Sequence, residues 1–165
     1  MKHVILTIVL LLASGLVIAQ TKMSDQLSKT TKMNAQSKIY FAGGCFWGTE
    51  HFMKQINGVT STQVGYANGK TSIKNPTYEQ VCNDNTGFAE TVEVSYDPQQ
   101  ADLKLLLELY FKTIDPTSLN RQGNDRGSQY RTGIYYTNAA DLPIIKEAIE
   151  TLAKKYSKPI CLLYT

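Results

Sequence analysis

Apolar and polar positions along the chain separate into short runs of two periods, and those runs predict the elements. Lys38 to Ala42 alternates with Ile39 and Phe41 on one side, as a strand does, and Gly43-Gly44 turns it into a helix from Cys45 to Gln55. Asn57-Gly58 closes that helix, and Val59 to Tyr66 reads as a second strand. Ala67 to Pro76 is a loop with turn residues at Asn68-Gly69, and Asn75-Pro76 opens a short helical turn through Val81. Glu90 to Tyr96 alternates strictly: Val92, Val94 and Tyr96 share one face, Thr91, Glu93 and Ser95 the other, and Asp97-Pro98 ends it.

Helical spacing returns with Leu103, Leu106, Leu107, Tyr110, Phe111 and Ile114, which give residues 101 to 113 a wide apolar face. Thr132 to Thr137 is a further strand. Leu142, Ile145, Ile149, Leu152 and Tyr156 mark a last helix, with Pro143 confined to its first turn. The apolar run after Lys158-Pro159 then simply stops. Strand, helix, strand, strand, helix, strand is the order of the split βαβ unit, so the expected fold is α+β: a ferredoxin-like βαββαβ sandwich with an added C-terminal helix.

Composition adds compartment and scale. The 165 residues suffice for one domain with its own core. Lys and Arg exceed Asp and Glu by only three, with no basic stripe, so nucleic acid is not implied as a partner. Met1-Lys2-His3 followed by the run from Val4 to Ala19 reads as a signal peptide over residues 1–19. This predicts an exported, periplasmic or extracytoplasmic protein, touching a membrane only through that signal or an uncleaved anchor. Residues 20–37, rich in Lys, Ser, Thr, Gln and Asn, read as a mobile leader, and the folded domain as 38–165.

Cys45, Cys82 and Cys161 lie far apart, with no CxxC pair and no Cys/His ligand spacing, so no metal site is expected. Cys45 stands at a glycine turn before a helix, and helix N-termini favour a thiolate. A buried packing cysteine is the other reading of that position. A histidine base for it is disfavoured, because His51, six residues along, sits about 120° away around an ideal helix.

Glu90 shares the parity of Val92 and Val94. It is either a partly desolvated carboxyl that keeps its proton near neutral pH, or a surface residue at a strand end. Tyr78 and Tyr130 lie in polar, turn-rich segments, where a phenol either presents its O–H to a ligand or pins a loop.

AGGCFWGTEHF, VGYANG, NPTYEQVC, TGFAETVEVSYDP and QGNDRGSQYR together resemble the peptide methionine sulfoxide reductase A family, in order and at similar intervals. The resemblance implies thiol-dependent reduction of methionine S-sulfoxide, in peptides and proteins and free. Cys45 would be the nucleophile that becomes a sulfenic acid, and Glu90 the acid that protonates the sulfoxide oxygen. Phe46 and Trp47 would seat the methyl group, Tyr78 and Tyr130 would hold the oxygen, and Asp125 would help shape the pocket. No cofactor is implied beyond an external reductant, either a thioredoxin-like protein or small thiols. The partners are oxidised-methionine peptides and proteins and that reductant, met by a monomer.

Two positions depart from the family pattern. Phe88 stands where a histidine often precedes the Ala-Glu pair, which makes the surroundings of Glu90 more apolar. After Ile160 the chain reads Cys161-Leu162-Leu163-Tyr164-Thr165, like a truncated or frame-shifted member lacking the last part of the domain. Cys161 is therefore a poor resolving thiol, and Cys82 sits where the family's cysteine is usually structural. The alternative reading of such an ending is a non-catalytic remnant that binds oxidised-methionine peptides without turnover.

Overall fold

In the computed structural model, residues 36–83 and 86–165 are described; the expected signal peptide and almost all of the expected leader lie outside them. Within Gln36–Thr165 the chain forms a five-stranded sheet. In chain order the main elements are β1 (Ser37–Gly43), α1 (Phe46–Met53), β2 (Val59–Ala67), α2 (Tyr78–Cys82), β3 (Ala89–Tyr96) and α3 (Leu103–Phe111). A two-strand hairpin follows, β4 (Arg121–Gln122) and β5 (Asp125–Arg126), then β6 (Thr132–Tyr135), α4 (Leu142–Ala153) and β7 (Leu163–Tyr164).

The sheet order is β2-β3-β1-β6-β7. β1 is central, antiparallel to β3 with Phe41 opposite Val92, and antiparallel to β6 with Phe41 opposite Ile134. The first four of these strands reproduce the split βαβ order, as the periodicities imply. Their side chains explain the arrangement: Ile39, Phe41, Val92, Val94 and Ile134 are fully buried, and so are Leu106, Leu107 and Tyr110 of α3 and Ile145 of α4. Burying each such side chain contributes about 1.5–3 kcal/mol, before the entropy cost of ordering it. Helix starts follow the sequence too. The Asp102 carboxylate accepts from Leu105 N at 2.8 Å, Thr77 and Gln80 form a reciprocal capping box, and Pro143 lies in the first turn of α4.

The structure adds three features. The final apolar run does not simply stop: Leu162 is buried, and β7 pairs in parallel with β6, Leu163 beside Gly133. Thr165 extends that edge, donating its N–H to Ile134 O at 3.2 Å and accepting from Tyr136 N at 3.1 Å. Thr91 and Ser95, on the face of β3 opposite Val92 and Val94, are buried too. The hairpin β4–β5 was not expected, because two-residue strands carry no readable period.

Tyr110 joins the layers. Its ring stacks on Phe41 at 4.5 Å, and its hydroxyl donates to Ala42 O at 2.6 Å and accepts from Gly133 N at 3.2 Å. Both bonds fix the sheet next to the turn that carries Cys45.

Candidate active site

Cys45 leaves β1 through Gly43-Gly44 and caps α1. Its backbone is still extended (φ −59, ψ 121), and its carbonyl accepts from Gly48 N at 3.1 Å and Thr49 N at 3.3 Å. The thiol therefore stands at the first turn of a helix whose buried residues are Phe46, Thr49 and Met53. Gly44 makes this turn possible: its φ is +83, and a Cβ there would come within 2.7 Å of Gln122 Cβ. Gln122 is itself fixed, its amide exchanging two 2.8 Å bonds with the backbone of Asp115.

Glu90 enters from β3. It is 2% exposed, and its Oε2 accepts from Phe46 N, the residue after Cys45, at 2.9 Å. Burial pushes its carboxyl above the ordinary range; the Phe46 N–H opposes this and the Asp125 carboxylate reinforces it. Of the two readings open for Glu90, the exposed strand-end residue is excluded by this burial.

Two aromatic groups flank the pair. Phe46 is buried, whereas Trp47 is 62% exposed and meets it edge-on at 5.2 Å, so the tryptophan offers a wet face beside the thiol. On the other side the Tyr78 hydroxyl is hydrogen-bonded to the Cys82 thiol and to Tyr130, which together hold its pKa well above the phenol value. Tyr130 is likewise raised, first by burial; the bond from Tyr78 opposes this, and the charges of Glu90 and Asp125 add to it.

The segment carrying Asp125 and Tyr130 is tied down by Arg131, which donates to Ser128 O at 2.9 Å, Asn68 O at 3.1 Å and Gly87 O at 3.0 Å. All seven residues named from the sequence thus gather at one end of the sheet. His51 is exposed on α1. Among the described residues, no group of three or more His, Cys, Asp or Glu is placed to hold a metal ion.

Sequence reasoning missed two neighbours. Tyr66 lies opposite Glu90 in the β2–β3 register, and its ring tilts over Phe46 at 5.9 Å. Its pKa is raised by burial and then by Glu90, Cys82 and Tyr78. The parity of β2 could have suggested this face; the register with β3 could not be read. Cys82 is a half-buried free thiol with the site's phenols among its neighbours. Cys161 is also a free thiol, its Sγ 3.5 Å from Thr117 O. A cavity of about 680 Å³ between α3 and α4 lies away from all these groups.

Comparison with known proteins places the chain among relatives of known name. The chain is 62% identical over 124 residues to the peptide methionine sulfoxide reductase MsrA of Lachnoclostridium phytofermentans, spanning 75% of this chain and 74% of that protein. Methionine sulfoxide reductase A of Corynebacterium diphtheriae superposes with a TM-score of 0.74 at 36% identity, over 79% of this chain and 65% of that one. Mxr1 of Saccharomyces cerevisiae, solved in complex with Trx2, matches with a TM-score of 0.56 at 28% identity, over 77% of this chain and 73% of Mxr1. The profile of the peptide methionine sulfoxide reductase family matches residues 37–164, nearly the whole described domain, and the chain belongs to that family.

Proposed function

We propose that this chain is a peptide-methionine (S)-S-oxide reductase that works through a Cys45 sulfenic acid. The observation that carries the reading is Glu90, a buried carboxyl whose pKa is raised by burial and which is bonded to the backbone N–H of the residue after Cys45. The Cys45 sulfur attacks the sulfoxide sulfur while Glu90 gives its proton to the oxygen. In the adduct the hydroxyl then passes to the Cys45 sulfur as the S–S bond and the substrate's S–O bond break, so methionine leaves reduced by two electrons and Cys45, oxidised by two, is left as sulfenic acid. Phe46 and Trp47 seat the methyl group, and Tyr78 and Tyr130 hold the oxygen, with Asp125 behind them. The same chemistry serves the free amino acid and oxidised proteins, so the role is repair after oxidative stress.

An outside thiol then attacks the sulfenic sulfur, water leaves, and a second thiol frees Cys45. A thioredoxin-like protein or small thiols supply these electrons; the complex of the yeast relative with Trx2 supports the first. The enzyme acts as an exported monomer, export resting on the Met1–Ala19 pattern. The remnant reading has less support, since the terminal residues pack and the site residues converge.

The test uses dithiothreitol and each epimer of a blocked methionine sulfoxide. Turnover of the S epimer that vanishes in Cys45→Ser is expected. Turnover of the R epimer alone, or activity surviving that substitution, overturns the reading.

A further inference from the structure

Tyr66 has two sides. One faces Phe46 and Glu90; the other lines a separate open cavity of about 620 Å³, bounded by the turn from Asn68 to Pro76 and by Phe88. A space of this size holds one or two residues of an extended peptide. Phe88, Ile73 and Pro76, all half-buried, supply apolar lining, and Lys70 and Lys74, which also line it, are exposed. Among the described residues no carboxylate lines it and neither lysine joins an ion pair; the ion pair present among them is Lys38–Glu93.

The cavity is also preformed. Phe88 presses so closely on Gly69 that a Cβ there would lie 2.2 Å from its ring. Lys70 N donates to Thr86 O at 2.9 Å, Ile73 N to Lys70 O at 3.0 Å, and Arg131 holds the carbonyls of Asn68 and Gly87. A turn fixed before the ligand arrives loses little freedom on binding.

We propose that this cleft seats the stretch of substrate chain beside the oxidised methionine and selects peptides that carry an acidic side chain there. The inference rests on the reductase reading above. A residue flanking the sulfoxide reaches past Tyr66, lays its stem on Phe88 and brings its carboxylate to Lys70 and Lys74. The blocked single residue, having no flanking side chain, gains nothing from the cleft. Exposed pairs of this kind act modestly and weaken with salt.

The experiment compares kcat/KM, with dithiothreitol as reductant, for blocked methionine S-sulfoxide and for short peptides with Glu, Gln or Lys beside the sulfoxide. The Glu peptide is expected to exceed the Lys peptide by about three- to tenfold at low salt, the gap closing in high salt. In Lys70→Gln/Lys74→Gln the preference disappears while the blocked residue is turned over as before; in Lys70→Glu/Lys74→Glu it reverses. Equal rates for the three peptides, or the same ranking in wild type and both variants, overturns the proposal and leaves the reductase reading intact. Absence of turnover on the blocked residue overturns that reading and this one with it.

Discussion

The backbone N–H of Phe46 donates to the carboxyl of Glu90 at 2.9 Å, tying the residue after the proposed nucleophile to the proposed acid. One bond thus fixes the helix start and the acid relative to each other. Glu90→Gln keeps an acceptor for that N–H and loses the acid. Turnover of methionine S-sulfoxide is expected to fall about 10²- to 10⁴-fold while the Cys45 thiol still reacts with an alkylating reagent.

Because burial raises Glu90 above its reference value of 4.5, the folded protein binds that proton more tightly than the unfolded chain does. The resulting stabilisation is full below the unfolded pKa and is lost as pH rises through the raised one. Wild type should therefore lose stability relative to Glu90→Gln between about pH 4 and pH 8, read as a growing Tm difference in favour of the variant. An equal difference at both pH values counts against a raised carboxyl.

Trp47 is the single tryptophan of the chain, and it is largely exposed beside the thiol. Its fluorescence in Cys45→Ser should shift on adding methionine S-sulfoxide and remain unchanged with methionine sulfone, which lacks the pyramidal sulfur. Trp47→Ala should raise KM several-fold, with stability changed by no more than about 0.5 kcal/mol, as for an exposed side chain.

Gly44→Ala asks whether the turn is essential. A methyl group at φ +83 meets Gln122, so the variant is expected to lose about 1–3 kcal/mol in urea unfolding, and more activity than stability because Cys45 moves with the turn. Gly48→Ala, with nothing within 4 Å of its added Cβ, is the control and should be neutral or slightly stabilising.

Much of this architecture was legible in the chain, for reasons visible residue by residue. β3 announces itself because Val92, Val94 and Tyr96 alternate with polar positions, and the same parity places Glu90 on the buried face. α3 and α4 follow from leucines and isoleucines at helical spacing. What escaped depends on pairing between distant segments. Tyr66 was one tyrosine among ten until the β2–β3 register set it opposite Glu90. That the Cys82 thiol neighbours Tyr78, and that Tyr130 from a distant segment meets the same phenol, likewise depends on the fold. β4, β5 and β7 are two residues long, too short for any period.

The hydroxyl of Tyr110 also tests how the site is supported. Tyr110→Phe leaves Ala42 O and Gly133 N without that partner in a fully buried setting, which costs about 1–3 kcal/mol. Denaturant melts with and without the substitution measure this directly.

That hydroxyl has a further consequence for the order of assembly. It bridges residues 68 and 23 positions away in the chain. The first loop can close once α3 has been made, but the second closes only when β6 has arrived, and closing long loops before contacts repay them slows folding. On a growing chain, Cys45 thus emerges well before the last of the contacts that secure the strand leading into its turn.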